Sequence, residues 1–346
     1  TLFRSRFGVH SAMASAEARR LCPQAIWTHG HFDRYREVSA QVMAILAEET
    51  PRVERVSIDE AFIDITPGRF APEDPMLVAR RISDRVAALG VTCSIGVGCN
   101  KTVAKIASER DKPFGLTIVR PGTEQRFLAA LPVSAMSGIG RSAEERLRRM
   151  RIYTLGELSR APESTLASIF GVNGERMRKR ALGLEISEVT SLDEEREVKS
   201  VSNERTIAKD LTERGDIEAA IALLGESVGR RLRRQGLTGA TVTLKLKYSY
   251  GSGRTAQRRL PHPTDDENIF VAVALELLDN IWQEGMHVRL AGIGMSDFDH
   301  QGGIQTDLFC EVDDRGAQSS DRRDLSVAID AVRDKFGDTA LSFGRQ

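Results

Sequence analysis

The run Val56-Ser57-Ile58-Asp59-Glu60-Ala61-Phe62-Ile63-Asp64-Ile65 sets two adjacent carboxylates between short apolar stretches. Side chains on a straight strand alternate between its faces, so neighbouring acids reach one site only where the chain bends. Residues 53–56 and 62–65 therefore predict the two strands of a hairpin, with Asp59 and Glu60 near its tip. An acid pair placed in this way can hold Mg²⁺ against a triphosphate, as in two-metal phosphoryl transfer. A solvated acidic turn fits the decapeptide equally well, and only the remainder of the chain separates the two.

At 346 residues the chain suits two or more domains with sizeable cores. Its 41% hydrophobic and 28% charged content is that of an ordinary soluble globular protein. No apolar run approaches the roughly 18 residues of a membrane helix, and no signal peptide opens the sequence. Cys22, Cys93, Cys99 and Cys310 are scattered without a C-x-x-C pair, which argues against a disulfide framework or zinc site and for a reducing cytoplasm. Thr1 follows no initiator methionine, and the expectation is a chain truncated at its N-terminus.

The formal net charge of zero hides an asymmetry. Residues 121–187 carry 11 Lys+Arg against 7 Asp+Glu, and residues 198–260 carry 13 against 6. Residues 297–346 reverse this, with 6 against 11. Solvated helix faces would account for either basic segment alone; two in succession point to a polyanionic partner.

Helical spacing marks residues 32–49 and 76–89, with the acidic hairpin between them. Residues 91–98 read as a strand, Asn100 as the cap of a helix reaching Arg110, and residues 116–119 as a short strand. Residues 32–120 thus predict a mixed sheet backed by helices. Residues 122–190 read as helical, broken at glycines, and residues 186–200 as a polar linker. A strand near 199–204, a helix over 216–235, a strand over 241–248, a helix over 266–283 and a strand over 288–297 predict a separate α+β module. The tail holds one short helix near 325–336.

Several constellations carry chemistry. Lys112 precedes a Pro-Phe-Gly turn, with Lys101 and Lys105 one helical turn apart upstream, and is a candidate for reaching a triphosphate. Gly138-Ile139-Gly140 opens an arginine-rich helix beginning at Arg141, a helix-hairpin-helix device that offers backbone N–H groups to a nucleic-acid phosphate. In the α+β module Arg230, Arg231, Arg233 and Arg234 end one helix, Lys245 and Lys247 share a strand face, and Arg254, Arg258 and Arg259 follow; Lys and Arg on one strand face would line a backbone groove, and a solvated sheet face fits them equally well. Few aromatics interleave, so salt-sensitive phosphate binding is expected rather than base stacking. Gln305 three residues before Leu308-Phe309 fits a short groove-plugging peptide.

In this order and spacing the motifs resemble those of Y-family DNA polymerases, specifically the DinB branch. The residues that carry the resemblance are Phe7-Gly8-Val9-His10-Ser11-Ala12-Met13, Ser57-Ile58-Asp59-Glu60-Ala61-Phe62, Gly96-Val97-Gly98-Cys99-Asn100-Lys101, Ala104-Lys105-Ile106-Ala107-Ser108, Lys112-Pro113-Phe114-Gly115 and Gly138-Ile139-Gly140. The resemblance implies an α+β right-handed polymerase: partial fingers over 1–31, a ferredoxin-like palm over 32–120, a helix-hairpin-helix thumb over 121–187, a linker over 188–197, a little finger over 198–298 and a tail over 299–346. It implies Asp59 as a metal ligand, Glu60 as the catalytic second acid, two Mg²⁺ ions, and Lys112 on the phosphates of an incoming dNTP. Primer–template DNA would meet Gly138, Gly140, Arg141, Lys245, Lys247 and Arg254. A sliding clamp would take Gln305, Leu308 and Phe309. The family's first palm strand, with its aspartate ligand and the aromatic residue that excludes ribonucleotides, has no counterpart before Phe7, and Leu2-Phe3-Arg4-Ser5-Arg6 departs from the family's Tyr-x-Ala-Arg run.

The resulting expectation is a monomeric, cytoplasmic, template-directed translesion DNA polymerase of low fidelity. The alternative is a non-catalytic clamp-binding adaptor on the same fold, a role for which Asp59-Glu60 has no use. A nucleotide cyclase would need no duplex-gripping module, and a pure DNA-binding repair factor would need no acid hairpin.

Overall fold

The computed structural model describes residues 6–68, 73–194, 197–298, 315–337 and 340. Two compact units divide the chain, Thr1–Glu195 and Arg196–Gln346. The first opens with α1 (Ser15–Leu21) and α2 (Phe32–Glu49), followed by the hairpin β1 (Val53–Arg55) and β2 (Ala61–Ile63). Val53 lies opposite Ile63 and Arg55 opposite Ala61, the antiparallel pairing expected of the acidic run. Next come α3 (Pro75–Ala88), β3 (Ile95–Val97), α4 (Lys101–Arg110) and β4 (Leu116–Ile118). The Asp74 side chain caps α3, where Pro75 takes the first helical position, and Asn100 caps α4 by accepting from the Val103 amide. Met43, Ile45 and Leu46 of α2 pack on Val53 and on Val78, Ile82 and Val86 of α3.

The single mixed sheet expected over residues 32–120 is corrected by the strand pairing. Antiparallel β1–β2 and parallel β3–β4 form two separate two-stranded sheets. No strand among the described residues bridges them. Parallel β3 and β4 need a crossover, and α4 supplies it. Gly96 makes that crossover tight: a Cβ there would stand 2.0 Å from the Ala104 carbonyl oxygen and 2.3 Å from the Ser108 amide.

Five short helices follow: α5 (Glu124–Ala129), α6 (Arg141–Arg149), α7 (Leu155–Arg160), α8 (Glu163–Phe170) and α9 (Gly174–Ala181). They bury Leu128, Leu147, Leu155, Leu158 and Leu166 together with Val103 and Ile106 of α4, so α4 is shared between the strands and this helical cluster. The expected linker is tied to the β1 region at two points. Thr190 N–H donates to Glu54 Oε2 (3.2 Å), and Arg52 Nη1 to Glu194 Oε1 (3.0 Å).

The second unit is a four-stranded antiparallel sheet in the order β5-β8-β6-β7. Its elements are β5 (Ser200–Leu211), α10 (Arg214–Arg234), β6 (Gly239–Tyr248), β7 (Gly253–Thr264), α11 (Glu267–Ile281) and β8 (Val288–Phe298). Ile217, Ile221, Val228 and Leu232 of α10 and Phe270, Leu277 and Leu278 of α11 cover one face, meeting Val242, Leu244, Leu246 and Ile293. Strand β7 was expected only as a basic stretch, because its alternation is polar: Leu260 is its one fully buried residue. The tail helix α12 (Arg315–Phe336) is 22 residues long, longer than the sequence predicts.

Candidate active site

At the turn between β1 and β2 the amides of Val56 and Ser57 both donate to the Glu60 carbonyl, at 2.9 and 3.1 Å. This bend brings Asp59 and Glu60, both exposed, to the same end of the hairpin. Ser57 Oγ donates to Asp59 Oδ1 (2.7 Å) and accepts from the Asp59 amide (3.3 Å). The turn is anchored from below by Ser39 of α2, only 6% exposed, whose hydroxyl donates to the Ile58 carbonyl at 2.5 Å. Arg55 braces the same point, donating to Ser57 O (3.2 Å) and Ser39 Oγ (3.3 Å). Ser39 gives no signal in the sequence, where it is one polar position in an amphipathic helix.

Helix α4 presents its lysines to this hairpin. Lys101 pairs with Glu54 of β1 and lies 6.0 Å from the Phe62 ring centroid, and Lys105 pairs with Glu60. Lys105 Nζ also reaches Glu109 Oε1 at 3.1 Å, and Lys112 Nζ reaches the same oxygen at 2.7 Å. Burial alone would push the Lys105 ammonium down; Glu60 and Glu109 outweigh it and hold the group above the usual lysine range. Glu109, with burial working the other way, is held below the usual carboxylate range by Lys112 and Lys105. Lys112 is thereby joined to the acid pair through two intermediate side chains. Its turn is compact, since a Cβ on Gly115 would stand 2.2 Å from the Asp111 carbonyl oxygen.

Further along the first unit, Gly138 adopts φ +95°, a conformation suited to glycine, and Gly140 N-caps α6. Ile139 is buried between them. Arg141 is exposed and pairs with Glu145 at 3.0 Å. Arg180 donates to Ser137 O (2.7 Å), next to Gly138, and to Thr102 Oγ1 (2.8 Å) at the start of α4. Glu185 accepts from the Thr102 amide at 3.0 Å. The glycine hairpin and the lysine-bearing helix are therefore fixed to each other. In the sequence Arg180 is one arginine in a basic run, with nothing to single it out.

In the second unit Lys245 and Lys247 share the open face of the sheet, as expected, beside Thr241 and Thr243. Gly292 and Gly294 of β8 lie opposite Lys245 and Thr243, with Ser202 and Glu204 of β5 beyond them. Glu204 accepts from Lys245 at 2.7 and 2.9 Å. The expected common face for the arginines is corrected. Arg254 pairs opposite Leu246 and Arg258 opposite Val242, which puts both on the helix-covered side, where Arg258 meets Glu276 of α11. Only Arg259, opposite Thr241, is on the face of the lysines. The α10 arginines are also occupied on that other side: Arg233 pairs with Glu267 and Asp330, and Arg230 and Arg234 with Asp334 of α12.

Among the described residues no three acids, histidines or cysteines cluster as a ready-made metal cage, and no helix is long and apolar enough to cross a membrane. Residues 1–5, which hold all of the departure from the Tyr-x-Ala-Arg run except Arg6, lie outside the described residues, as do Gln305, Leu308 and Phe309.

Residues 3–109 match the model of the impB/mucB/samB family, and residues 198–308 match that family's C-terminal domain. DNA polymerase IV of Lactococcus lactis subsp. cremoris (strain MG1363) is 37% identical over 294 residues, 84% of this chain and 80% of that protein. DNA polymerase IV of Oceanobacillus iheyensis is 32% identical over 339 residues, 97% and 79%. A solved Y-family DNA polymerase chimera, Dbh-Dpo4(243-245)-Dbh, superposes with a TM-score of 0.74 at 23% identity over 86% of each chain, a likeness of fold. The chain belongs to the Y-family DNA polymerases, a class whose members depend on a divalent metal. Within that class it falls with the relatives named DNA polymerase IV, as a DNA-directed DNA polymerase of the translesion type.

Proposed function

We propose that Asp59 and Glu60 are the acids at which this polymerase transfers a nucleotidyl group to a primer 3′ end. The observation that carries this reading is the bend at Asp59-Glu60, which exposes both carboxylates and sets Glu60 against Lys105 of α4. Their donor chemistry fits Mg²⁺: hard oxygens, few enough to leave coordination positions to water and substrate phosphates. Asp59 and Glu60 would hold the metal, two ions in the full site, which when bound stabilise the attacking and leaving oxygens. Lys112 binds the triphosphate as a point charge, and Lys101 holds β1 to α4 through Glu54. Ser39 fixes the turn on which both acids stand.

The strands and helices over 32–120 act as the palm, residues 121–187 as the thumb and 198–298 as the little finger. Gly138, Gly140 and Arg141 grip a primer–template backbone at the N-terminus of α6. Lys245, Lys247 and Arg259 line the open sheet face, where Gly292 and Gly294 make room for the Glu204 and Ser202 side chains lying beside them. Gln305, Leu308 and Phe309 are the segment for a sliding clamp, and the enzyme works as a cytoplasmic monomer.

Asp59→Asn tests the site. Single-turnover extension of a primer is expected to fall by about 10²-fold or more, with primer–template affinity retained. Extension at the parent rate would remove Asp59 from the site.

A further inference from the structure

Glu60, Lys105, Glu109 and Lys112 form an unbroken alternation of charge from the acid hairpin to the Lys112 turn. Lys105 stands between two carboxylates, and Glu109 between two ammonium groups, at 3.1 and 2.7 Å. The four side chains are 44%, 25%, 46% and 51% exposed. Ion pairs this open to water are individually weak, so they exchange partners at little cost. The two end members are the groups assigned above to metal and phosphate, and each is engaged with a neighbour it must leave. The two middle members have no assigned role.

We propose that Glu109 is a positioning residue that couples nucleotide binding to release of Glu60. A triphosphate that draws Lys112 away leaves the Glu109 carboxylate to Lys105 alone. Lys105 then holds Glu109 more closely and Glu60 less, and the freed acid turns to the metal. Coupling of this kind is reciprocal. Loss of the Glu60 charge lets Lys105 satisfy Glu109, which loosens Glu109 from Lys112 and favours phosphate binding. The inference rests on Lys112 binding phosphate and Glu60 binding metal.

The experiment reads dNTP affinity on primer–template with divalent metal chelated and nucleotide at millimolar concentrations, so that turnover plays no part. Glu60→Gln is expected to tighten binding by about two- to five-fold, the span of one exposed ion pair. In a Glu109→Gln background the gain is expected to vanish, and in Glu109→Asp to return in part. Lys112→Met reports on the underlying assignment and is expected to weaken binding in every background. An equal Glu60→Gln gain with and without the Glu109 charge would overturn the coupling, because a plain long-range charge effect needs no relay. Unchanged affinity in Lys112→Met would overturn the phosphate assignment and the coupling with it. Melting temperatures of all variants, each altered at a half-exposed position, check that the fold is intact.

Discussion

Ser39 holds the turn of Asp59 and Glu60 by one hydrogen bond from inside α2. Ser39→Ala strands the Ile58 carbonyl and is expected to cost about 1 kcal/mol of stability, measured by urea denaturation, and to slow extension more than it weakens DNA binding. The hairpin under the two acids is legible in the sequence, because short apolar runs on either side of adjacent carboxylates predict paired strands and a turn between them. Ser39 is not, since a buried serine and a surface serine look alike until the neighbouring carbonyl is known. Glu49 makes a pH-dependent contribution. Arg81 hydrogen bonds to it at 2.9 and 2.6 Å and holds its carboxyl below the usual range. A lowered carboxylate pKa stabilises the fold above the ordinary range and is lost as pH falls through the native value. Glu49→Gln is therefore expected to lower the melting temperature at pH 7 and to make progressively less difference as pH falls toward 3.

Helix α4 is the element on which the first unit turns. It crosses from β3 to β4, carries Lys101 and Lys105, and shares Val103 and Ile106 with the helical cluster. Gly96→Ala would drive a methyl into the α4 backbone, and the expected cost is about 3 kcal/mol or more, seen in the denaturation midpoint. The glycines around Val97 were legible as a motif, and their packing purpose only in three dimensions. The same limit explains the arginines. Residue type and spacing identify a basic strand, but a face follows from register, and register is set by the partner strand. Opposite Leu246, Arg254 could only lie on the helix side. Edge strand β7 escaped the sequence reading because one buried leucine is too little apolar alternation to announce a strand.

Over the whole molecule a formal charge of zero conceals basic middle segments and an acidic tail. Part of that basic charge is spent internally, since α12 pairs with the arginines of α10 and Glu204 with Lys245. The polyanion-facing charge is therefore smaller than the sequence count implies. Primer–template binding is expected to weaken steeply with salt, and Lys247→Ala to lower the slope of log affinity against log salt by about 1, uniformly across sequences. An unchanged slope would take Lys247 off the phosphate path. The most direct measurement is single-nucleotide addition to a primer with Mg²⁺ titrated, comparing this chain with Glu60→Ala. Addition that rises with Mg²⁺ and disappears in the variant, while primer–template affinity persists, is the predicted result. Addition that survives loss of the Glu60 carboxylate would contradict the assignment of the hairpin acids as the catalytic centre.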